Sequence, residues 1–219
     1  MTIGIIVAMD VEHRALLQAV GGERGTMSGH NIVISKSGIG KVNAALATQN
    51  IISAHHPQAI ISTGLAGGID NVLHVSDIIA ASHTVYHDVW CGSGNHWGQV
   101  QGLPAQFEAD QQLLQTAVKT AKNTSLPMHC GLVCTGDQFI TDRDALNKIK
   151  ENFPNALACD MESAAIAQTC YIHSTPFLSL RVVSDTPGNT DNHARQWDEF
   201  LASLCGASFQ FVSKFIASL

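Results

Sequence analysis

The chain alternates between short apolar runs rich in β-branched residues and longer segments whose apolar residues recur at helical intervals. Thr2–Met9 is the first such run, and Val11–Val20 follows it with helical spacing. Strands joined by helices of ten or more residues pair mainly in parallel, because a helical crossover returns the chain in the same direction. The pattern therefore predicts an α/β protein with helices packed on a mainly parallel sheet.

The rest of the sequence continues this alternation. Further extended segments are predicted at Asn31–Ser35, Gln58–Thr63, Val75–Tyr86, Gly131–Thr135, Ala156–Cys159 and Phe177–Val183, and helices at Val42–Ile52, Asp110–Ala121, Asp144–Asn152, Met161–Cys170 and Arg195–Ile216. Asp160 stands where its side chain can cap a following helix. The segment His87–Gln106 has no period, and loops of that length are usually functional or at an interface, so we expect a lid or a dimer element there.

Length and charge limit the function. The 219 residues suit one domain, which we place at residues 1–219, and a net charge of −6 with scattered Lys and Arg disfavours binding to nucleic acid. The N-terminal run reaches Asp10 without a preceding basic region, so it is predicted to be neither a signal peptide nor a membrane span. We expect a cytoplasmic protein with no membrane partner.

The six cysteines are spread through the chain, which favours reduced structural thiols over disulfides. Cys130 and Cys134 are spaced like metal ligands, but no second Cys or His pair stands at ligand spacing, so no metal is predicted.

Two glycine-rich segments follow predicted strands. Ser37–Lys41 lacks the earlier glycine and the hydroxyl residue after the lysine that a phosphate loop needs, and neither it nor Gly64–Gly68 has the dinucleotide-binding pattern. Both place small residues at the carboxyl ends of strands, where α/β sheets bind ligands. On spacing alone, plain tight turns and ligand-binding turns are equally good interpretations.

Acidic residues also stand at strand ends, and each one alone is typical of a helix cap or a surface charge. They are Glu12, Asp137, Asp160, Glu162 and Asp185.

Eight segments, in order, resemble the methylthioadenosine/S-adenosylhomocysteine nucleosidases of the purine and uridine phosphorylase superfamily. They are Ile3-Gly4-Ile5-Ile6 with Ala8-Met9 and Glu12; Lys36–Val42; Thr63-Gly64 with Ala66-Gly67-Gly68; Tyr86-His87-Asp88; Gly136-Asp137 with Phe139-Ile140; Asn152-Phe153-Pro154; Met161-Glu162; and Arg181 with Ser184-Asp185. The resemblance implies a nucleoside phosphorylase-like, three-layer α/β/α fold with a central mixed twisted sheet. It also implies hydrolysis of the N-glycosidic bond of a 5′-substituted adenine nucleoside, without a cofactor.

The resemblance assigns roles to individual residues. It implies that Asp185 protonates N7 of adenine and is held by Ser184, that Glu12 with Arg181 orients and activates water, and that Glu162 binds the ribose diol. His87 receives no catalytic role. Further substrate-binding positions are implied at Met9, Ile39, Leu65, Ala66, Gly67, Phe139, Ile140, Met161 and Trp197. A homodimer is implied as well, with the neighbouring subunit completing the pocket for the 5′-substituent.

The chain departs from the family pattern at several places. Leu65 replaces a hydroxyl residue near the attacking water, and Asp160 replaces a glutamate that is commoner in bacterial relatives. The segment before Asn31 is about a dozen residues shorter than in bacterial members, so a hairpin there is expected to be missing or trimmed. The loop after Asp185 is slightly longer and leads to Trp197, which is expected in the pocket for the 5′-substituent.

Three alternatives stay open. A phosphorylase of the same superfamily needs a cationic phosphate pocket where this chain has Glu12 and Leu65–Gly68. A futalosine-type hydrolase performs the same chemistry on another purine nucleoside. A silent nucleoside-binding module, suggested by Leu65, has no use for an acid facing the base together with a carboxylate that activates water.

Overall fold

A computed structural model of the chain describes residues 1–22, 24–124, 126–186, 200 and 207–219. The strands are β1 (Thr2–Val7), β2 (Arg24–Met27), β3 (His30–Lys36), β4 (Ala59–Gly68), β5 (Ile78–Tyr86), β6 (Phe107–Glu108), β7 (Met128–Thr135), β8 (Ala156–Asp160) and β9 (Phe177–Asp185). The helices are α1 (Asp10–Val20), α2 (Lys41–His55), α3 (Gln111–Thr124), α4 (Arg143–Asn152), α5 (Ser163–Ile172) and α6 (Ala207–Ile216).

In the described part of the chain, nine strands form one mixed sheet, and part of the strand order closes on itself. β4 pairs with β8 and β9, β5 pairs with β7 and β9, and β7 pairs with β8, so β4, β8, β7, β5 and β9 make a ring. β1, β3 and β2 extend the sheet from β4, and β6 adds to β5. All five ring strands contribute to one apolar cluster, which includes Ala66, Ile79, Val133, Ala158 and Val183.

Helices cover both faces of the sheet, as the alternation of side chains along β1 requires. Ile3, Ile5 and Val7 pack in one cluster with apolar residues of α1, α3 and α6. Ile6 belongs to another cluster, with residues of α2 and α5. This arrangement confirms the predicted α/β class and its mixed sheet.

The prediction of a tight turn at Gly64–Gly68 is wrong, because these residues are the end of β4. Gly64 pairs in register with Arg181 of β9, and Gly67 pairs with Cys159 of β8. Hydrogen bonds from two neighbouring strands thus override the low strand propensity of glycine. A short antiparallel hairpin of β2 and β3 is present before α2, so the hairpin that was expected to be missing or trimmed is not missing.

The N-terminal part of the predicted helix Arg195–Ile216 lies outside the described residues, and α6 accounts for its end. No helix in the described part of the chain combines the length and the apolar character that a membrane span needs.

Candidate active site

A pocket opens where the carboxyl ends of several strands meet. It holds about 620 Å³ of empty space, including its open mouth, which is within the range of small-molecule sites. Its lining residues come from the ends of β1, β4, β8 and β9, the β3–α2 turn and the segment after β7: Ala8, Met9, Glu12, Ile39, Leu65, Ala66, Gly67, Gln138, Phe139, Ile140, Cys159, Asp160, Met161, Glu162 and Asp185.

Glu12 lies in the first turn of α1 and is almost fully buried. Its Oε2 accepts hydrogen bonds from the backbone N–H groups of Met9 (2.8 Å) and Ala8 (3.1 Å), and its Oε1 accepts one from Leu65 (2.9 Å). Burial raises the pKa of this carboxyl above its ordinary value, although the hydrogen bonds and Arg181 oppose the shift. A raised pKa brings a carboxylate closer to the range of an efficient general base.

Arg181 of β9 lies behind the pocket and does not line it. Its Nε is 2.8 Å from Oδ2 of Asp160, and its Nη2 donates to Ser62 Oγ (2.9 Å) and Ser163 Oγ (3.0 Å). Asp160 also accepts hydrogen bonds from the hydroxyls of Thr135 and Ser163. Every member of this buried network therefore has polar partners, as a buried charge requires.

Glu162 precedes α5 and lies at the pocket surface. Its Oε1 accepts a hydrogen bond of 2.9 Å from the Gly40 N–H at the start of α2, and its Oε2 is 4.0 Å from Arg181 Nη2. Burial and the neighbouring charges of Asp160 and Glu12 raise the pKa of Glu162 to about 7, against the opposing effects of Arg181 and Gly40.

Asp185 ends β9 and is 2% exposed. Its Oδ1 accepts a hydrogen bond of 2.6 Å from Ser184 Oγ, so the carboxyl has a fixed orientation at the pocket wall. Ser184 itself does not line the pocket. Phe139 and Ile39 also line the pocket, are about half exposed and supply apolar surface, which suits a planar heterocycle and its substituents.

Comparisons with known proteins identify the family of this chain. The sequence matches the profile of the phosphorylase superfamily over residues 2–217. The 5′-methylthioadenosine/S-adenosylhomocysteine nucleosidase of Bacillus cytotoxicus is 34% identical over 232 aligned positions that cover 100% of both chains. The chain belongs to this nucleosidase family.

Solved structures of family members share the fold. The nucleosidase of Neisseria meningitidis in complex with methylthio-immucillin-A has a TM-score of 0.93 and 35% identity, over 100% of this chain and 99% of that chain. An aspartate-to-asparagine mutant of the Helicobacter pylori nucleosidase, with 5′-methylthioadenosine in its active site, has a TM-score of 0.92 and 26% identity, over 100% and 99% of the two chains.

Most of the site residues predicted from the nucleosidase pattern meet in the one pocket. Those that line it are Met9, Glu12, Ile39, Leu65, Ala66, Gly67, Phe139, Ile140, Met161, Glu162 and Asp185. Arg181 and Ser184 contact residues of the pocket from behind, and Trp197 lies outside the described residues.

The prediction of site residues missed four that line the pocket, namely Ala8, Gln138, Cys159 and Asp160. Each adjoins a predicted site residue or another lining residue in the sequence, so adjacency was the available signal. The sequence indicates Asp160 as an acidic residue at a strand end, a possible helix cap and a departure from the family pattern, but gives it no role in the site. Its carboxylate does accept the Ser163 N–H at the start of α5, and it also pairs with Arg181.

Proposed function

We propose that this protein hydrolyses the N-glycosidic bond of a 5′-substituted adenine nucleoside of the methylthioadenosine and S-adenosylhomocysteine class. Four buried carboxylates converge on one pocket, and this convergence carries the proposal; Asp160 is paired with Arg181, and the other three act on the substrate. Glu12, Glu162 and Asp185 come from three different elements and line the same cavity. Family membership supports the bond type, and the inhibitor and nucleoside complexes of the relatives support the substrate class.

The reaction needs a proton for the leaving base and a water molecule on the other side of the sugar. In this proposal Asp185, oriented by Ser184, donates its proton to N7 as the electrons of the C1′–N9 bond move onto adenine. Glu12 accepts a proton from water as the water oxygen bonds to C1′ of the cationic sugar. The products are adenine and the free 5′-substituted ribose. Asp185 ends the reaction ionised and Glu12 ends it protonated, so Asp185 takes a proton from solvent and Glu12 returns one to it before the next turnover.

The remaining roles concern binding. The ionised Glu162 has two oxygens that can accept from the two vicinal ribose hydroxyls, and a charge-assisted contact of this kind is stronger than a neutral one. Phe139 stacks on the base, and the backbone of Ile140 contacts the base edge. Arg181 does not reach the substrate in this proposal. It fixes the carboxylates from behind.

Hydrolysis is favoured over phosphorolysis by the charges around the pocket. Among the described residues that line it, four are acidic and none is Lys, Arg or His. A phosphate dianion would be repelled by these carboxylates, whereas water is neutral. Leu65 removes the side-chain hydroxyl expected at its position, but its backbone N–H still donates to Glu12. This contact favours an active hydrolase over a silent binding module.

The test is a base-release assay on methylthioadenosine, S-adenosylhomocysteine, futalosine and inosine, each with and without phosphate and with a chelator. We expect adenine and a free sugar from the first two, at rates independent of phosphate and of the chelator. Formation of a sugar 1-phosphate only in the presence of phosphate would contradict the proposal. So would binding of a nucleoside without release of its base.

We further propose a homodimer, located in the cytoplasm. Exposed apolar side chains support the dimer. Trp90 and Trp97 stack with ring centroids 5.4 Å apart and are both exposed, and Val42 and Leu46 of α2 are exposed one helical turn apart. Light scattering under assay conditions tests the dimer, and a monomer mass would contradict it.

Among the described residues the cysteines are free thiols, which supports a location in the reducing cytoplasm.

A further inference from the structure

Three charged residues from segments that resemble the nucleosidase pattern have no place in the chemistry above, yet they meet in space. Lys41 Nζ lies 2.8 and 2.7 Å from the two carboxylate oxygens of Asp88 and 3.7 Å from Oδ2 of Asp137. The backbone N–H of Lys41 donates to Asp137 Oδ1 (2.8 Å), and that of Asp137 donates to Asp88 Oδ2 (2.9 Å). Each residue thus contacts the other two, and we call the set the ionic triangle.

The ionic triangle adjoins two walls of the pocket. Lys41 is the first residue of α2, and the preceding Gly40 donates its N–H to Glu162 Oε1. Asp137 directly precedes the pocket-lining segment 138–140. None of the three triangle residues lines the pocket. A shift of the triangle would therefore move both walls, although no triangle side chain lies at the substrate.

The Gly40 turn packs closely against Asp137. Gly40 has a φ of +96°, and a Cβ at this position would lie 3.1 Å from Oδ1 of Asp137. Two successive N–H groups at the start of α2, those of Gly40 and Lys41, therefore bind the carboxylates of Glu162 and Asp137. The positive end of the helix dipole favours both carboxylates.

A single partly exposed ion pair contributes little, but charges joined in a network with good geometry contribute more. Lys41 and Asp88 are 22% and 20% exposed, so solvent screens them only partly. Burial alone would raise the pKa of Asp88, yet the hydrogen bonds from Lys41 and from the Asp137 N–H lower it overall. Lys41 Nζ also lies 5.5 Å from the centroid of the Tyr86 ring, on the β5 strand that leads to Asp88.

We propose that Lys41, Asp88 and Asp137 are positioning residues, which hold the Gly40 turn against Glu162 and the 138–140 segment at a fixed distance from it. This rests on the proposed function for the identity of the two subsites, ribose at Glu162 and base at Phe139. Glu12 and Asp185 are carried by α1 and β9, which the triangle does not contact through any of these bonds. Loss of the triangle should accordingly weaken binding more than it slows chemistry.

The experiment compares Lys41→Met with Lys41→Arg in steady-state hydrolysis of methylthioadenosine. Methionine keeps the aliphatic stem and removes the charge, whereas arginine can contact both carboxylates. We expect Lys41→Met to raise KM about tenfold while kcat stays within about threefold, and Lys41→Arg to restore KM to within about threefold of the parent.

Lys150→Met is the matched control. Lys150 Nζ lies 2.9 Å from Asp70 Oδ2, and the two side chains are 25% and 29% exposed, so this pair resembles that of Lys41 and Asp88. Neither Lys150 nor Asp70 adjoins a pocket-lining residue in the sequence, whereas Asp137 of the ionic triangle directly precedes Gln138. We expect it to lower the melting temperature to a similar extent as Lys41→Met and to leave KM within about twofold of the parent. If both variants change KM alike, the positioning role is wrong.

A double-mutant cycle with Asp88→Asn adds a second test that does not depend on one variant. If the triangle acts as a unit, Lys41→Met and Asp88→Asn together raise KM little more than either does alone. An unchanged KM in both single variants overturns the proposal.

If the parent releases no adenine, the proposed function fails instead. Calorimetric titration with adenine then tests the ionic triangle, and tighter or equal binding of adenine by Lys41→Met contradicts its positioning role.

Discussion

The Nε atom of Arg181 lies 2.8 Å from Oδ2 of Asp160, and both side chains are 1% exposed. This pair holds the guanidinium of Arg181 beside the β8–α5 junction. Nη1 of the same guanidinium and Oε1 of Glu12 both lie next to Gly64. A Cβ built on Gly64 would lie 2.6 Å from both Arg181 Nη1 and Glu12 Oε1. Asp160 thus holds the buried guanidinium where its charge lowers the pKa of two pocket carboxyls, those of Glu12 and Glu162.

Removing one member of this pair should destabilise the fold strongly. Asp160→Asn leaves the guanidinium of Arg181 buried without its ionised partner, and breaking a buried pair in this way typically costs about 3–5 kcal/mol. We expect a loss of that size in the free energy of unfolding, measured by urea denaturation. The control is Asp70→Asn, which removes a partly exposed partner of Lys150 and should cost about 1 kcal/mol or less. Equal losses in the two variants would show that Asp160 contributes no more than a surface charge.

Gly64→Ala should reduce activity by displacing Glu12 and Arg181. The new methyl group has no room at 2.6 Å from atoms of both side chains, and φ at Gly64 is +153°. A misplacement of about 1 Å near reacting groups can cost 10²-fold in rate, so we expect kcat/KM to fall by about that factor. Gly25→Ala is the control, because a Cβ there meets no atom within 4 Å. Parental activity in Gly64→Ala would mean that the positions of these two side chains matter little.

Near neutral pH, a rise in pH should strengthen the binding of substrate and lower the stability of the fold. Because the pKa of Glu162 is raised from 4.5 to about 7, the folded protein holds this proton more tightly than the unfolded chain does. The contribution to stability is therefore complete below pH 4.5 and is lost as the pH rises through about 7. Binding of the ribose diol needs the ionised form, so KM for methylthioadenosine should rise as the pH falls below about 7.

Glu162→Gln is the control for this pH effect. It should raise KM at neutral pH, because the ribose hydroxyls lose a charged acceptor, and it should flatten the dependence of KM on pH between about 5 and 8. The groups that face Glu162 are Arg181 and the Gly40 N–H, which lower its pKa, and Asp160 and Glu12, which raise it. A KM profile unchanged by the substitution would assign the titration to another group.

Local patterns in the sequence predicted the strands that are continuous apolar runs and the helices whose apolar residues recur at helical spacing. β1 and β9 are buried along nearly their whole length, and β-branched runs of that kind indicate central strands. The site residues were predicted from the resemblance, since each carboxylate alone is equally typical of a cap. Glu12 illustrates this point: it does accept N–H groups at the start of α1, and it also lines the pocket.

The structural features that could not be predicted from the sequence depend on contacts between residues that are far apart in the chain. Nothing local in Gly64–Gly68 indicates a strand, because its pairing comes from β8 and β9, about a hundred residues away. The contact between Arg181 and Asp160 likewise joins β9 and β8, which are brought together because both pair with β4. The ionic triangle joins residues 41, 88 and 137, whose separations follow no motif.

Asp185→Asn is expected to separate binding from chemistry. As the proposed general acid, Asp185 acts only when the base begins to leave, so its contribution belongs to the transition state and not to ground-state binding. Asparagine keeps the shape, can still pair with Ser184 and can donate a hydrogen bond to N7, but it cannot transfer a proton. Loss of a positioned acid typically removes about 10²- to 10⁴-fold of rate, and we expect kcat for methylthioadenosine to fall by that factor while its dissociation constant, measured by calorimetry, stays within several-fold. Near-parental turnover by Asp185→Asn would exclude this residue as the acid and require a different proton donor.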